Sequence, residues 1–202
     1  MDFVSDSVIG SVIARVRAHL IAEIGDENPS SASVTFLGLE PLDVLRFAAG
    51  EEDLVRYVTL GCSRHPMADP NEMVADQSRG PRAELILTLR GGAGVASGVH
   101  TKLAVLAASP AVEGVVLVTD ALLDLGEPLW VGSPFTAVLL GDSDIPDLQL
   151  PEPADPVKFL QVVPITGTEA AWVRLRGADA LRDAWNEAGI DVRDPSRSAV
   201  NL

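Results

Sequence analysis

Residues 157–200, VKFLQVVPITGTEAAWVRLRGADALRDAWNEAGIDVRDPSRSAV, read as a buried strand, a short turn, two amphipathic helices and a polar tail. The run Val157 to Val163 alternates poorly between apolar and polar residues, the pattern of a central strand covered on both faces. Pro164 has no amide hydrogen and is expected to end the strand's hydrogen bonding. Thr166 and Glu169 have capping-box spacing, in which hydroxyl and carboxylate each satisfy the other's backbone amide at a helix start. The helix from about Gly177 to Ala188 stacks Ala178, Leu181, Trp185 and Ala188 on one face, and Gly189 ends it. Nothing in the stretch has the form of a catalytic motif.

Immediately before this stretch, DSDIPDLQLPEPADP (142–156) is acidic and proline-rich and reads as an internal linker. Before it, a core strand is expected near Ala137 to Leu140 and a buried strand at Val115 to Val118. His100 to Ser109 reads as a short helix burying Leu103, Leu106 and Ala107, with Pro110 blocking its continuation. GGAGVASG (91–98) reads as a flexible crossover, and Ala83 to Leu89 as a strand with Leu85, Leu87 and Leu89 on one face and Glu84, Ile86 and Thr88 on the other. Leu54 to Leu60 is a further strand that ends at Gly61 and enters the long polar connection CSRHPMADPNEMVADQSRGP (62–81). Val34 to Leu37 and Val44 to Phe47 are expected strands, ENPSSAS (27–33) a loop. At the start, Ile9, Val12, Ile13, Val16, Leu20 and Ile24 share one helical face, with Asp6 or Ser7 as cap and Gly25 as stop. The fold class is therefore α+β: one domain over 1–202, a mixed sheet flanked by helices in an α/β/α sandwich-like arrangement. An N-terminal helical unit (1–30) and a C-terminal tail (190–202) bound it.

At 202 residues and 47% hydrophobic composition, the chain is long enough to bury a core without staples. The single cysteine, Cys62, allows no internal disulfide, which fits a reducing compartment. The N-terminus MDFVSDSVIG carries acids where a secretion signal is basic, and the longest apolar runs, VVLV and AVLL, fall far short of a bilayer span. The expected location is cytoplasmic. A net charge of −14 disfavours nucleic acid and anionic membranes; it suits a basic protein partner, with plain solubility of an acidic protein as the competing reading.

The residues carry little recognisable chemistry. His19, His65 and His100 have no paired spacing, and Cys62 with His65 is half a zinc site at most. Cys62 and His65 are also the nucleophile and base that a hydrolase reading would use. GGAGVASG lacks the lysine and hydroxyl of a phosphate loop, and Gly91, Gly94 and Gly98 do not give the dinucleotide pattern. Asp142, Asp144 and Asp147 lack the glycine and terminal glutamate of a calcium loop and read as a solvated acidic turn. No cofactor or metal is expected. Trp130, between Pro128 and Gly132, is a candidate binding anchor, with core packing as its competing reading. With Tyr57 and His65 it makes up the set of candidate partner-binding residues.

YVTLGCSRHPM (57–67), RAELILTL (82–89), GEPLW (126–130), FLQVVPITGTEA (159–170) and DPSR (194–197), in this order and spacing, resemble the Suppressor of Fused domain family, short bacterial type. The resemblance runs from about Asp43 to Val200. It implies a mixed α/β sandwich and a protein-binding role: the animal member is a signalling inhibitor that binds a transcription factor, and short bacterial members include immunity proteins encoded beside toxins. The family has no catalytic residue set to transfer. What the resemblance implies is a non-enzymatic module that binds and neutralises a toxin, with a scaffold or regulator of a larger complex as the alternative.

Overall fold

Among the residues described in the computed structural model (3–48, 52–67, 78–94 and 96–202), seven strands form one mixed sheet. They are β1 (Ser30–Val34), β2 (Leu42–Phe47), β3 (Leu54–Leu60), β4 (Arg82–Arg90), β5 (Leu122–Asp124), β6 (Phe135–Asp142) and β7 (Val157–Thr166), in the spatial order β1-β2-β3-β4-β7-β6-β5. Every neighbouring pair is antiparallel except β4 with β7, so two meanders meet at one parallel seam. The helices are α1 (Phe3–Ile24), α2 (Val99–Glu113), α3 (Gly167–Arg176) and α4 (Ala178–Ala188).

Alternation along the strands sorts the core into two layers. Val44, Tyr57, Leu85, Leu87, Leu140 and Val162 point to the side covered by α2. The opposite face divides. Leu45, Phe47, Val58, Ile86 and Phe159 meet Val12, Val16 and Leu20 of α1, whereas Ala137, Leu139 and Ile165 meet α3 and α4 through Ala170, Leu181 and Trp185. Fully burying a valine or leucine contributes about 1.5–3 kcal/mol, and Val16 and Leu20 are both completely buried, which is what holds α1 to the sheet. The expected stripe on α1 is thus present, although Ile9 lies outside the residues whose side chains are described. The helix begins at Phe3, so Asp6 and Ser7 lie inside it and do not cap it.

Several local expectations are corrected. SSAS was expected in a loop, but Ser30 to Val34 form edge strand β1, paired from Ser30–Arg46 to Val34–Leu42, because the ladder of β2 overrides the weak strand preference of serine. The strand expected from Val34 onward ends there, and Leu37 is fully exposed. Val115 to Val118 form no strand; Leu117 is buried under the α2 cluster, with its amide donating to Met67 Sδ at 3.3 Å. The helix expected to stop before Pro110 continues to Glu113. Proline cannot donate to the Leu106 carbonyl one turn back, and the Ser109 hydroxyl donates to it instead at 2.7 Å.

Strand β7 likewise passes through Pro164, beyond the last pair with β4 (Leu87–Val162); the Pro164 carbonyl there accepts from Arg197. The stretch 142–156 is no free linker: Ile145 is buried, Leu148 bridges Val157, Asp144 pairs with Arg56 at 2.6 Å and the Pro146 carbonyl lies 2.8 Å from His19 Nε2. The expected polar tail is packed as well, with Arg197 and Val200 buried. Of the long connection 62–81, residues 68–77 lie outside the described residues.

Candidate functional site

The sequence candidates do not converge. Tyr57 is buried, and its hydroxyl oxygen accepts a hydrogen bond from the Ala93 amide at 3.1 Å. Trp130 is buried against Phe135, with ring centroids 5.5 Å apart. Neither ring is presented to a partner. His65 is exposed, and its Nε2 pairs with Glu40 at 3.0 Å. Three residues away, Cys62 opens a single 3₁₀ turn (Cys62–Arg64). Burial, reinforced by the nearby Glu84 carboxyl, pushes the Cys62 thiol well above its ordinary range, the opposite of what a nucleophile needs. Native protein at neutral pH is therefore expected to react with a thiol reagent at least about tenfold more slowly than the denatured chain. A stopped-flow trace in which both react alike would contradict the raised thiol pKa of this half-buried cysteine.

Two buried carboxylates organise the frame. Glu84, on central strand β4, is completely buried and accepts from the Thr59 hydroxyl at 2.6 Å, the Gly61 amide at 2.9 Å, the Ser63 amide at 3.0 Å and the Ser63 hydroxyl at 2.6 Å. Burial raises its pKa, and the hydrogen bonds from Ser63, Thr59 and Gly61 only partly offset this. Glu169 sits in the predicted capping box and is also completely buried. Besides the Thr166 amide and hydroxyl, it receives the Trp185 indole at 3.0 Å, the Val200 amide at 3.3 Å and both arms of Arg197 at 2.7 and 3.2 Å. Burial pushes its carboxyl up, but Arg197, the Thr166 amide and the indole outweigh that and leave it below the usual value. Neither carboxylate faces an opening. Both hold structure.

The opening lies elsewhere, on the sheet face shared by α1 and α3–α4, where the two helical units leave part of β6 and β7 uncovered. A cleft of about 550 Å³ lies over Gly141, Gln161 and Val163. Arg182, Trp185 and Asn186 of α4, Ile190 and Val192 that follow it, and Thr119, Asp120 and Asp142 line the rest of it. Arg182 is already engaged by Asp120 and by Asp179, the latter at 3.0 Å. Asp142 accepts only from the Thr119 hydroxyl, at 2.6 Å, and forms no ion pair among the described residues. Of the acidic turn read from the sequence, Asp144 is taken by Arg56. The described residues hold no group of three or more His, Cys, Asp or Glu that could bind a metal ion.

The sequence reading missed this cleft. Thr119, Asp142 and Asn186 are separated by more than twenty residues at each step and meet only through the β6–β7 ladder and the docking of α4. One signal was available: Gly141 interrupts an otherwise apolar strand, AVLLGD, and such a glycine marks a close backbone approach.

Among the described residues no helix is long and apolar enough to cross a membrane. The comparison with curated proteins finds no match. Solved structures share the fold. A SUFU homolog from Neisseria gonorrhoeae FA 1090 is 21% identical with a TM-score of 0.67, over 94% of this chain and 96% of that one. A chain of the Sufu-Fu complex is 14% identical with a TM-score of 0.66, over 93% and 91%. Drosophila Suppressor of Fused is 15% identical with a TM-score of 0.63; the match covers 92% of this chain but 50% of the Drosophila one. The family model described as Suppressor of fused protein (SUFU) matches residues 38–198, four-fifths of the length and all seven strands but β1, and the chain therefore belongs to the Suppressor of fused protein family.

Proposed function

We propose that this chain is a non-enzymatic, cytoplasmic protein-binding module whose partner is a basic protein toxin that it neutralises by occlusion. The observation that carries the reading is the shared domain: the family match over 38–198, together with the same fold in a protein solved as the Sufu-Fu complex. The net charge of −14 supports a basic partner, since a strongly negative surface steers cationic proteins into contact and repels nucleic acid. The raised thiol pKa of Cys62 weighs against a hydrolase built on Cys62 and His65.

The test is genetic and biophysical. Deleting the gene should sensitise a strain in which an adjacent toxin gene is active, and the purified pair should bind about tenfold or more weakly when salt rises from 50 to 500 mM. Undiminished growth of the deletion strain with the toxin active removes the immunity role. The Sufu-Fu complex, whose Sufu-type fold this chain shares, favours a second reading, a regulator or scaffold in a larger assembly. Capture of a non-toxic partner with the same salt dependence distinguishes it.

A further inference from the structure

On the reading that this domain holds a protein partner, we propose that the cleft over Gly141 is the pocket for a lysine or arginine side chain of that partner. The first observation is its charge. Of the ionisable groups in the lining, Arg182 is already held between Asp120 and Asp179, which leaves the carboxylate of Asp142 at the rim with one hydroxyl donor and no cation among the described residues. On a chain of net charge −14 an anionic ligand is repelled from such a rim and a cationic one drawn to it. The second observation is the shape. Val163, Trp185, Ile190 and Val192 give the cleft an apolar part of its lining that suits the methylene stem of a long basic side chain, while the head group reaches Asp142.

The third observation is the glycine itself, which is independent of the charge. Gly141 lies inside β6, paired with Gln161 of β7 and sharing its face. Its backbone is not in the left-handed region, and nothing lies within 4 Å of where a Cβ would stand. Gly61 shows the contrast: its φ is +131°, and a Cβ there would lie 2.9 Å from Leu42. Neither conformation nor packing requires glycine at 141. A glycine in a strand weakens the strand, and any side chain at this position would project into the cleft. Keeping it empty is what a binding floor needs.

The experiment titrates the capped peptide acetyl-Gly-Arg-Gly-amide, and its neutral citrulline counterpart, into the ¹⁵N-labelled full chain. Saturable shifts are expected at Gly141 and Asp142 and at the side-chain amides of Gln161 and Asn186, with the citrulline peptide binding at least ~tenfold more weakly. Gly141→Leu should melt no lower than the wild type yet lose binding ~tenfold or more, and Asp142→Asn should weaken it ~fivefold or more. The proposal is overturned if Gly141→Leu binds the peptide like the wild type, if citrulline substitutes for arginine, or if the shifts scatter over the acidic surface and persist in Asp142→Asn. Should Gly141→Leu fail to fold, the citrulline and Asp142→Asn arms decide. If the wild type holds no protein partner yet binds the peptide, the partner reading fails and the pocket stands; if Gly141→Leu holds a captured partner as tightly as the wild type, the pocket fails and the partner reading stands.

Discussion

Arg197→Ala is expected to destabilise the fold by about 3–5 kcal/mol, because it strands the Glu169 carboxylate in the core without its cation. That is roughly a third or more of the stability of an ordinary domain. The guanidinium is buried and makes two bonds to Glu169 and a third, at 2.7 Å, to the Pro164 carbonyl, while its Cζ lies 4.8 and 5.4 Å from the ring centroids of Phe135 and Trp185. It joins the C-terminal segment, the end of β7, the start of α3 and the aromatic residue of α4. Arg197→Lys keeps the charge but cannot fork across both carboxylate oxygens and reach Pro164, so it should recover only part of the loss. Urea denaturation followed by tryptophan fluorescence reads both variants. The pH dependence follows from the lowered pKa of Glu169: its contribution is complete above the ordinary carboxyl value of 4.5 and is lost as pH falls through the folded-state value. Wild-type stability should therefore drop in acid more steeply than that of Arg197→Ala, which has already lost the pairing. Parallel acid titrations of the two would show that the pair is not the cause.

Much of this arrangement could be read from the residues, and the part that could not was non-local. The Thr166–Glu169 box is a four-residue pattern and was legible in full. The α1 stripe was legible because helical spacing repeats within a few turns. Arg197 was not, because DPSR carries no mark of burial and its carboxylate lies 28 residues away. Val115 to Val118 misled for a physical reason: an apolar run does not by itself record pairing, and here Leu117 is buried and Val115 and Val116 are partly covered by packing under α2 with no ladder, while Val118 is exposed. Pro110 and Pro164 misled in the other direction: at Pro110 the Ser109 hydroxyl takes the carbonyl that the missing amide would have bonded, and at Pro164 the ladder with β4 has already ended while the pairing with Val138 of β6 continues. The cleft required the sheet order itself. Once β7 is placed between β4 and β6, Gln161 falls on the seam between the two helical units of one face, beside Gly141; no spacing along the chain encodes that neighbourhood.

Glu84→Ala is expected to cost about 3 kcal/mol or more, through unsatisfied donors and not through a lost ion pair. Its removal leaves the amides of Gly61 and Ser63 and the hydroxyls of Thr59 and Ser63 facing an apolar space at the exit of β3. Each such donor costs about 1–3 kcal/mol when stranded, although the hydroxyls can rotate to other acceptors. Glu84→Gln separates shape from charge. Its carbonyl can take the three donors now on Oε1, and its amide can donate to the Thr59 hydroxyl, which already accepts from the Leu85 amide at 2.8 Å. The sign of the pH dependence is opposite to that of Glu169. A carboxyl whose folded pKa is raised binds its proton more tightly in the native state, so native stability falls as pH rises from the ordinary value of 4.5 through the folded-state value, and the penalty persists above it. Glu84→Gln carries no such penalty. Its stability relative to the wild type should therefore improve steadily as pH rises across that window, and a difference that stays flat from acid to neutral pH would mean that the carboxyl titrates alike in the folded and unfolded chain, with no raised pKa. The carboxylate is retained at that expense because one acceptor group turns the chain sharply at Gly61, bringing the Cys62–Arg64 turn back across β4, where the Arg82 guanidinium closes it by donating to the Ser63 and Arg64 carbonyls at 2.7 and 2.9 Å.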